Sequence, residues 1–179
     1  MRDVPSDRRV VGSMTVPVQW VVGLLVALEP SAPWRPTYEK TAEAIARVAE
    51  SEPLFDDRGE ERTASLLVAI AWYESRLKPN ARSKNGQFYC LYQVDKRNLA
   101  DPQKALDDPE VCTRAAIKII RSSLQACAKG LLDDRLAQFM SGACDKGVAD
   151  SRYRMFLAGK LLKDHPFPIN NGGGTARAR

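Results

Sequence analysis

Apolar residues recur every three to four positions along most of this chain, a spacing typical of amphipathic α-helices. No stretch alternates convincingly between apolar and polar residues, as a strand with one buried face would. Only "FYCLYQV", residues 88–94, alternates in part, and it predicts a short hairpin arm at most. The pattern therefore predicts an all-α fold, or α+β with a minor hairpin. The helical stretches after Trp34 are 38–51, 64–77, 109–129, 134–142 and 151–163.

Capping residues indicate where these helices begin. Thr37 precedes the first stretch, and Thr63 opens the second, which Pro79 must end. Asp108 followed by a proline marks the start of the third, because proline fits the first helical position. Ser151 is the predicted cap of the last helix.

The net charge and the cysteines limit the possible functions but do not select one of them. The 179 residues carry a net charge of +5 and have a pI near 9.1. This charge favours binding to nucleic acid, an anionic membrane or an anionic wall polymer. Alternatively, it reflects an ordinary basic surface. No nucleic-acid-binding motif is present, so no nucleic-acid partner is expected. With no CxxC pair and His165 as the sole histidine, we expect no metal site. Two disulfides or four free thiols both remain open.

The ends of the chain differ in composition from its middle. Val16 to Leu28 is an apolar run that is either a signal-peptide core or a buried first helix, and we favour the helix. It is too short for a comfortable membrane span. We divide the chain into an N-terminal segment (1–33), a helical domain (34–164) and a flexible tail (165–179), because the last stretch lacks periodicity.

Glu74 is the residue that most invites a chemical role. On a helix it shares one face with Leu67, Ile70 and Ala71, where a carboxylate loses hydration. Desolvation raises the pKa of a carboxyl group, so Glu74 is a candidate general acid. Alternatively, its stem packs while its head reaches solvent or a nearby cation. The nearby cations are Arg76, Lys78 and Arg82.

The stretch "ESRLKPNARSKNG", residues 74–86, resembles the first signature of soluble lytic transglycosylases, the SLT domain, which is related to goose-type lysozymes. "CLYQV" stands where the family has G-L-M-Q-I, with Leu91 and Gln93 matching. Cys90 replaces a glycine there, and one extra residue separates Gly86 from Gln93. The other positions that match at the family spacing are Glu74, Ser75, Pro79, Ala81, Ser83 and Gly86.

Two later signatures resemble the family less closely. In "FMSG" the family tyrosine and asparagine are replaced by Phe139 and Met140, which lack the hydroxyl and the amide. This departure indicates weaker activity, altered substrate choice or another residue making the contact. Tyr153 matches the tyrosine near the start of the last helix. The resemblance covers roughly residues 60 to 160.

The resemblance implies a lysozyme-like helical domain that cleaves the bond between N-acetylmuramic acid and N-acetylglucosamine in peptidoglycan glycan strands. Glu74 would protonate the leaving oxygen and then act as base, giving an anhydro-muramoyl end. No cofactor is implied, and a monomer is assumed. The residues expected to bind substrate are Ser83, Tyr92, Gln93, Phe139 and Tyr153.

Two other functions remain open. A hydrolytic lysozyme of the same fold would need a further group to activate water, for which Asp56, Asp57 and Asp95 are candidates. A catalytically decayed glycan-binding or structural module is the second alternative. The site of action is the cell wall, with a periplasmic or secreted enzyme and a phage-associated lysin both possible.

Four cysteines permit three disulfide pairings, and their positions relative to these signatures favour one of them. Cys90 lies in the first site loop, and Cys144 follows the second signature. Pairing Cys90 with Cys112 and Cys127 with Cys144 would tie both site loops to the long helix, and we predict that pairing.

Overall fold

The computed structural model describes residues 15–168, which form seven α-helices and one two-stranded hairpin. The fold is all-α with a minor hairpin, so the predicted fold class is confirmed. The two strands pair antiparallel, with Phe88 opposite Asp95 and Tyr89 opposite Val94. The elements are α1 (Val18–Leu28), α2 (Tyr38–Ser51), α3 (Gly59–Ser75), β1 (Phe88–Tyr89), β2 (Val94–Asp95), α4 (Pro102–Asp107), α5 (Pro109–Ala126), α6 (Ala137–Ser141) and α7 (Val148–Asp164).

Helix α3 runs through the middle of the molecule. Every residue from Thr63 to Ala71 is buried, and the helix packs against α1, α2 and α7. A helix that is apolar on all sides must be covered on all sides, and this sets where the site lies. The last turn of α3 leaves the core, and Glu74 lies in that turn.

Two helices begin earlier than their predicted caps. Helix α3 begins at Gly59, and the Thr63 hydroxyl accepts a hydrogen bond from the backbone N–H of Leu54 at 2.8 Å. Helix α7 begins at Val148, and the buried Ser151 hydroxyl donates to the Asp133 carbonyl at 2.6 Å. Both predicted caps are wrong, because these hydroxyls bond to the backbone of other segments instead of to their own helix ends.

Two other predicted starts are confirmed. Helix α2 begins at Tyr38, directly after Thr37, but the Thr37 hydroxyl donates to the Trp34 carbonyl at 2.7 Å and does not cap the helix. Helix α5 begins at Pro109, and the Asp108 carboxylate accepts a hydrogen bond from the Glu110 backbone N–H at 2.9 Å.

The described parts of both chain ends contact each other. Helix α1 buries Val21, Leu24 and Leu25 against the core. The Trp20 indole donates to the His165 carbonyl at 2.9 Å, and its ring meets that of Phe167 edge-on, with 5.0 Å between centroids. Residues 1–14 of the predicted N-terminal segment and 169–179 of the predicted tail lie outside the described residues.

Two disulfides fasten the long helix α5 to the loops on either side of it. Cys90, between the two strands, bonds Cys112 near the start of α5. Cys127, directly after α5, bonds Cys144 in the loop after α6. These are the same partners as in the pairing we predict from sequence. None of the helices between residues 15 and 168 combines the length and apolar character that a membrane span requires.

Candidate active site

A cleft of about 450 Å³ opens beside the last turn of α3. The hairpin forms one side of it, and α5, α6 and α7 form the other. Polar and apolar side chains are mixed along it, as in sites that orient a ligand through a few polar groups. The lining residues are Glu74, Phe88, Tyr92, Gln93, Val94, Asp95, Asn98, Ile119, Phe139, Met140, Asp150 and Arg154.

Glu74 lies in this cleft with its side chain 20% exposed. Burial raises the pKa of its carboxyl group above the usual value, the hydrogen bond and charge of Arg154 lower it, and the charge of Asp150 raises it further. Burial is the largest of these effects, so the pKa is raised overall. The carboxyl end of a helix also carries partial negative charge, which disfavours the ionised form in the same direction.

Arg154, on α7, is the ion-pair partner of Glu74. Its Nη2 donates to Oε1 of Glu74 at 2.8 Å, and its side chain is only 11% exposed. The guanidinium lies over the Tyr73 ring, 4.7 Å from its centroid. Its Nη1 donates to the Asp150 carbonyl at 3.0 Å. Sequence analysis missed this residue, although Asp150 and Arg154 stand four positions apart and share a helix face.

The three cations proposed as partners of Glu74 are placed elsewhere. The Arg76 guanidinium stacks on the Trp72 ring, 3.9 Å from its centroid, and that of Arg82 lies over Tyr89. Lys78 is exposed and makes no ion pair among the described residues. None of these three cations pairs with Glu74, so the alternative of a nearby cationic partner does not hold, and the cation that does pair with it comes from the last helix.

The residue after Glu74 ties α3 to the hairpin. The Ser75 hydroxyl is 2.7 Å from the Leu91 carbonyl and 3.1 Å from that of Ala71. Arg76 and Leu77 then adopt left-handed backbone conformations, with φ of 55° and 62°, which ends the helix. This turn places the Leu91 segment directly beside the last turn of α3.

Cys90 occupies a backbone conformation that favours glycine. Its φ is 63°, and its N–H donates to the Ala81 carbonyl at 2.7 Å. A side chain in this region costs about 1–2 kcal/mol, which explains why the family has a glycine here. Gln93 also has a positive φ, and its side-chain amide donates to the Cys90 carbonyl at 3.0 Å. The disulfide to Cys112 holds this turn in place.

The residues expected to bind substrate divide into two groups. Tyr92, Gln93 and Phe139 line the cleft together with Glu74. Tyr92 is almost wholly buried, which raises the pKa of its hydroxyl.

Ser83 and Tyr153 are not among the lining residues. The Ser83 hydroxyl accepts hydrogen bonds from the backbone N–H groups of Gln87 and Phe88, which shapes the loop before β1. The Tyr153 side chain is on the surface, with 59% of the residue exposed.

The second signature lies on α6. Phe139 and Met140 both line the cleft, and the Phe139 N–H donates to the Ser123 hydroxyl of α5 at 2.9 Å. Helix α6 is thereby fixed to α5, and the cleft has an apolar surface where the family has a hydroxyl and an amide. No cluster of three acidic, histidine or cysteine side chains within residues 15–168 is arranged to hold a metal ion.

One of the three proposed water-activating carboxylates lies at the cleft. Hydrogen bonds from Arg97 and Gln87, at 2.8 Å and 3.0 Å, hold the pKa of Asp95 well below its usual range, so it stays ionised. Asp56 and Asp57 are exposed and line a different depression, between α3 and α5. Asp150, which sequence analysis did not propose, is the remaining carboxylate among the described residues that line the cleft.

Comparison with protein families agrees with this geometry. A family model described as the transglycosylase SLT domain matches residues 54–144, half of the chain. This protein therefore belongs to the SLT transglycosylase family, which confirms the resemblance, and its helical domain is lysozyme-like. Membership implies peptidoglycan-directed, transglycosylase-type activity at the level of the family. No curated protein and no solved structure matches significantly.

Proposed function

We propose that the protein is a lytic transglycosylase that cleaves the bond between N-acetylmuramic acid and N-acetylglucosamine, with Glu74 as its acid and base. The observation that carries this proposal is a mostly buried carboxyl group, with a raised pKa, in a cleft within the family's own motif. A raised pKa increases the protonated fraction of a carboxyl group at a given pH, and the protonated form can donate its proton to a glycosidic oxygen.

The reaction needs only this one protein carboxyl group. Glu74 donates its proton to the bridging oxygen, the bond from that oxygen to the muramoyl C1 breaks, and positive charge develops at C1. The Glu74 carboxylate then accepts the proton of the muramoyl C6 hydroxyl as that oxygen bonds to C1. The products are an anhydro-muramoyl end and a free N-acetylglucosamine 4-hydroxyl, with no water consumed.

A hydrolytic lysozyme is the second candidate, and Asp95 is the observation that favours it. This carboxylate lines the same cleft as Glu74 and stays ionised. An ionised carboxylate opposite the acid is what an inverting glycosidase uses to activate water. However, Arg97 and Gln87 already occupy both oxygens of Asp95, so we favour the transglycosylase.

Mass spectrometry of the fragments released from purified sacculi tests the proposal. Anhydro-muramoyl ends are expected from the wild-type protein and from Asp95→Asn. Reducing muramoyl ends would instead establish hydrolysis, and their loss in Asp95→Asn would assign water activation to that residue. The control for Asp95→Asn is Asp101→Asn, because the Asp101 carboxylate caps α4 and does not line the cleft.

A decayed glycan-binding module is the third candidate, favoured by the apolar Phe139 and Met140 in the second signature. It predicts binding to sacculi with no fragment release by the wild-type protein. Release of fragments that depends on Glu74 would reject it.

The proposed place of action is outside the cytoplasm. Family membership implies action on the cell wall, and the two disulfides suit an oxidising compartment. Mapping of disulfide-linked peptides on protein from its native source tests this. Free thiols at all four cysteines would contradict it.

A further inference from the structure

We propose that Arg154 is a positioning residue that tethers Oε1 of Glu74 and leaves Oε2 to carry the proton that is donated to the sugar. The inference deepens the proposed function and rests on it. Arg154 lies outside the residues that the family model matches. Phe139, which stands in place of the family tyrosine, has no hydroxyl with which to make such a contact.

The tether is asymmetric. Arg154 donates to Oε1 at 2.8 Å, and no donor among residues 15–168 bonds Oε2. A proton on a carboxyl group resides on the oxygen that accepts no hydrogen bond from a cation, because the guanidinium favours negative charge on its own partner oxygen. The bond therefore selects which oxygen is the acid.

Besides Glu74, Tyr73 of α3 and Asp150 of α7 contact the guanidinium, and its buried Nε has no hydrogen-bond partner among residues 15–168. The Tyr73 ring lies beneath the guanidinium, and the Asp150 carbonyl accepts from Nη1. The Asp150 carboxylate is 4.0 Å from Nη1. Because Arg154 is nearly buried and braced by α3 and α7, it has little rotamer freedom left to lose when a glycan binds.

Arg154 is the charged group that lowers the pKa of Glu74 and so acts against the effect of burial. Among the described residues that line the cleft, Arg154 is the one cation, and Asp150 and Asp95 are the other charged groups. Asp95 is paired with Arg97. The neighbours from α5 and α6, namely Ile119, Phe139 and Met140, are uncharged. Removing Arg154 therefore leaves burial and the charge of Asp150, which both raise the pKa of Glu74.

This arrangement suits a group that must act first as acid and then as base. Burial keeps the proton available for the first step, and the cation stabilises the carboxylate that the second step requires. An adjacent opposite charge lowers a carboxyl pKa by about one to three units. Loss of Arg154 should therefore raise the Glu74 pKa by at least about one unit and lower kcat more than it changes KM.

The test is a carbon-13 NMR titration of glutamate side-chain carboxyl groups in the full chain. The Glu74 signal is assigned by its loss in Glu74→Gln. Arg154→Met should raise the Glu74 midpoint, and Arg154→Lys, which keeps the charge, should raise it less. Arg152→Met is the matched control, because Arg152 is on the same helix but pairs with Asp134 away from the cleft; it should leave the midpoint unchanged.

An unchanged Glu74 midpoint in folded Arg154→Met would overturn the proposal. Should that variant fail to fold, nitrogen-15 signals of the Arg154 side chain in the wild-type protein decide instead. Their chemical shifts should change with pH at the midpoint of Glu74. Chemical shifts that do not change at that midpoint would reject the tether. Neither readout depends on glycan cleavage, so a failure of the proposed enzyme activity, seen with sacculi, is distinguishable from a failure of the tether.

Discussion

The two sides of the cleft hold Glu74 in different ways. The hairpin side, residues 74–95, carries the family's first signature; the Ser75 bonds tie it together, and the Cys90–Cys112 disulfide anchors it to α5. The α7 side, formed by α5, α6 and α7, departs from the family at Phe139 and Met140 and reaches Glu74 through Arg154. The ion-pair partner of Glu74 therefore comes from the α7 side of the cleft, 80 residues further along the chain.

We infer that the hairpin side positions the Glu74 carboxyl group and that the α7 side adjusts its pKa. The hairpin side fixes the backbone around Glu74, so changes there should affect stability as well as activity. The α7 side contributes charge and apolar surface, so changes there should affect the protonation of Glu74 with less effect on folding. The predictions below test that separation.

Glu74→Gln is expected to have the largest effect. Loss of a general acid lowers rates by about 10²- to 10⁴-fold, so fragment release from sacculi should fall to near the background. The variant should still fold, since the amide oxygen can accept the Arg154 hydrogen bond. Glu60→Gln, in the first turn of the same helix and far from the cleft, is the control and should match the wild type. Equal release by Glu74→Gln and wild type would remove Glu74 from the mechanism.

Removing the Cys90–Cys112 disulfide should have the next largest effect, on stability. The bond closes a 22-residue separation, so Cys90→Ala with Cys112→Ala should lower the free energy of unfolding by about 2–4 kcal/mol. Chemical denaturation of both proteins measures this loss.

A second pair of changes separates the disulfide from the backbone conformation. Cys90→Gly with Cys112→Ala should lose about 1 kcal/mol less than the alanine pair, because glycine adopts a φ of 63° without strain. Equal stability of the two double variants would show that the positive φ carries no cost.

Phe139→Tyr, which restores the family hydroxyl, should have the smallest effect. In the wild-type background Arg154 already bonds Glu74, so activity should change by less than about threefold, equivalent to under 1 kcal/mol. In Arg154→Met the same change should recover part of the lost kcat. A large gain in the wild-type background would mean that Arg154 does not replace the tyrosine.

Local sequence patterns predicted part of the hairpin side of the site, although Ser83, which we expected to bind substrate, does not line the cleft. The position of Glu74 on an apolar helix face predicts its burial, and the start of α5 follows from Asp108 and Pro109. The match to the family signature explains why Gln93 and Tyr92 lie beside the carboxyl group. These features depend on residues within a few turns of one another.

The α7 side could not be predicted in the same way. Arg154 is 80 residues from Glu74, and its contact depends on how α7 packs against α3. The apolar pattern of α7 is weak, with Phe156 71% exposed, so it does not fix which face of the helix is buried. Successive residues on a helix point about 100° apart, and the helix directs Arg154 into the cleft while its neighbour Tyr153 is exposed. From the family tyrosine we expected Tyr153 to face the substrate, and a substrate contact by Tyr153 stays a prediction.

The most direct test of the central claim is the pKa of Glu74 in the wild-type protein, measured by the same carbon-13 titration. The account predicts a midpoint above 4.5, the ordinary value for this side chain, and a kcat/KM for fragment release that falls as pH rises through that midpoint, because the protonated acid is lost. A midpoint at or below 4.5, together with a kcat/KM that does not change as pH passes through the midpoint, would contradict this role for Glu74.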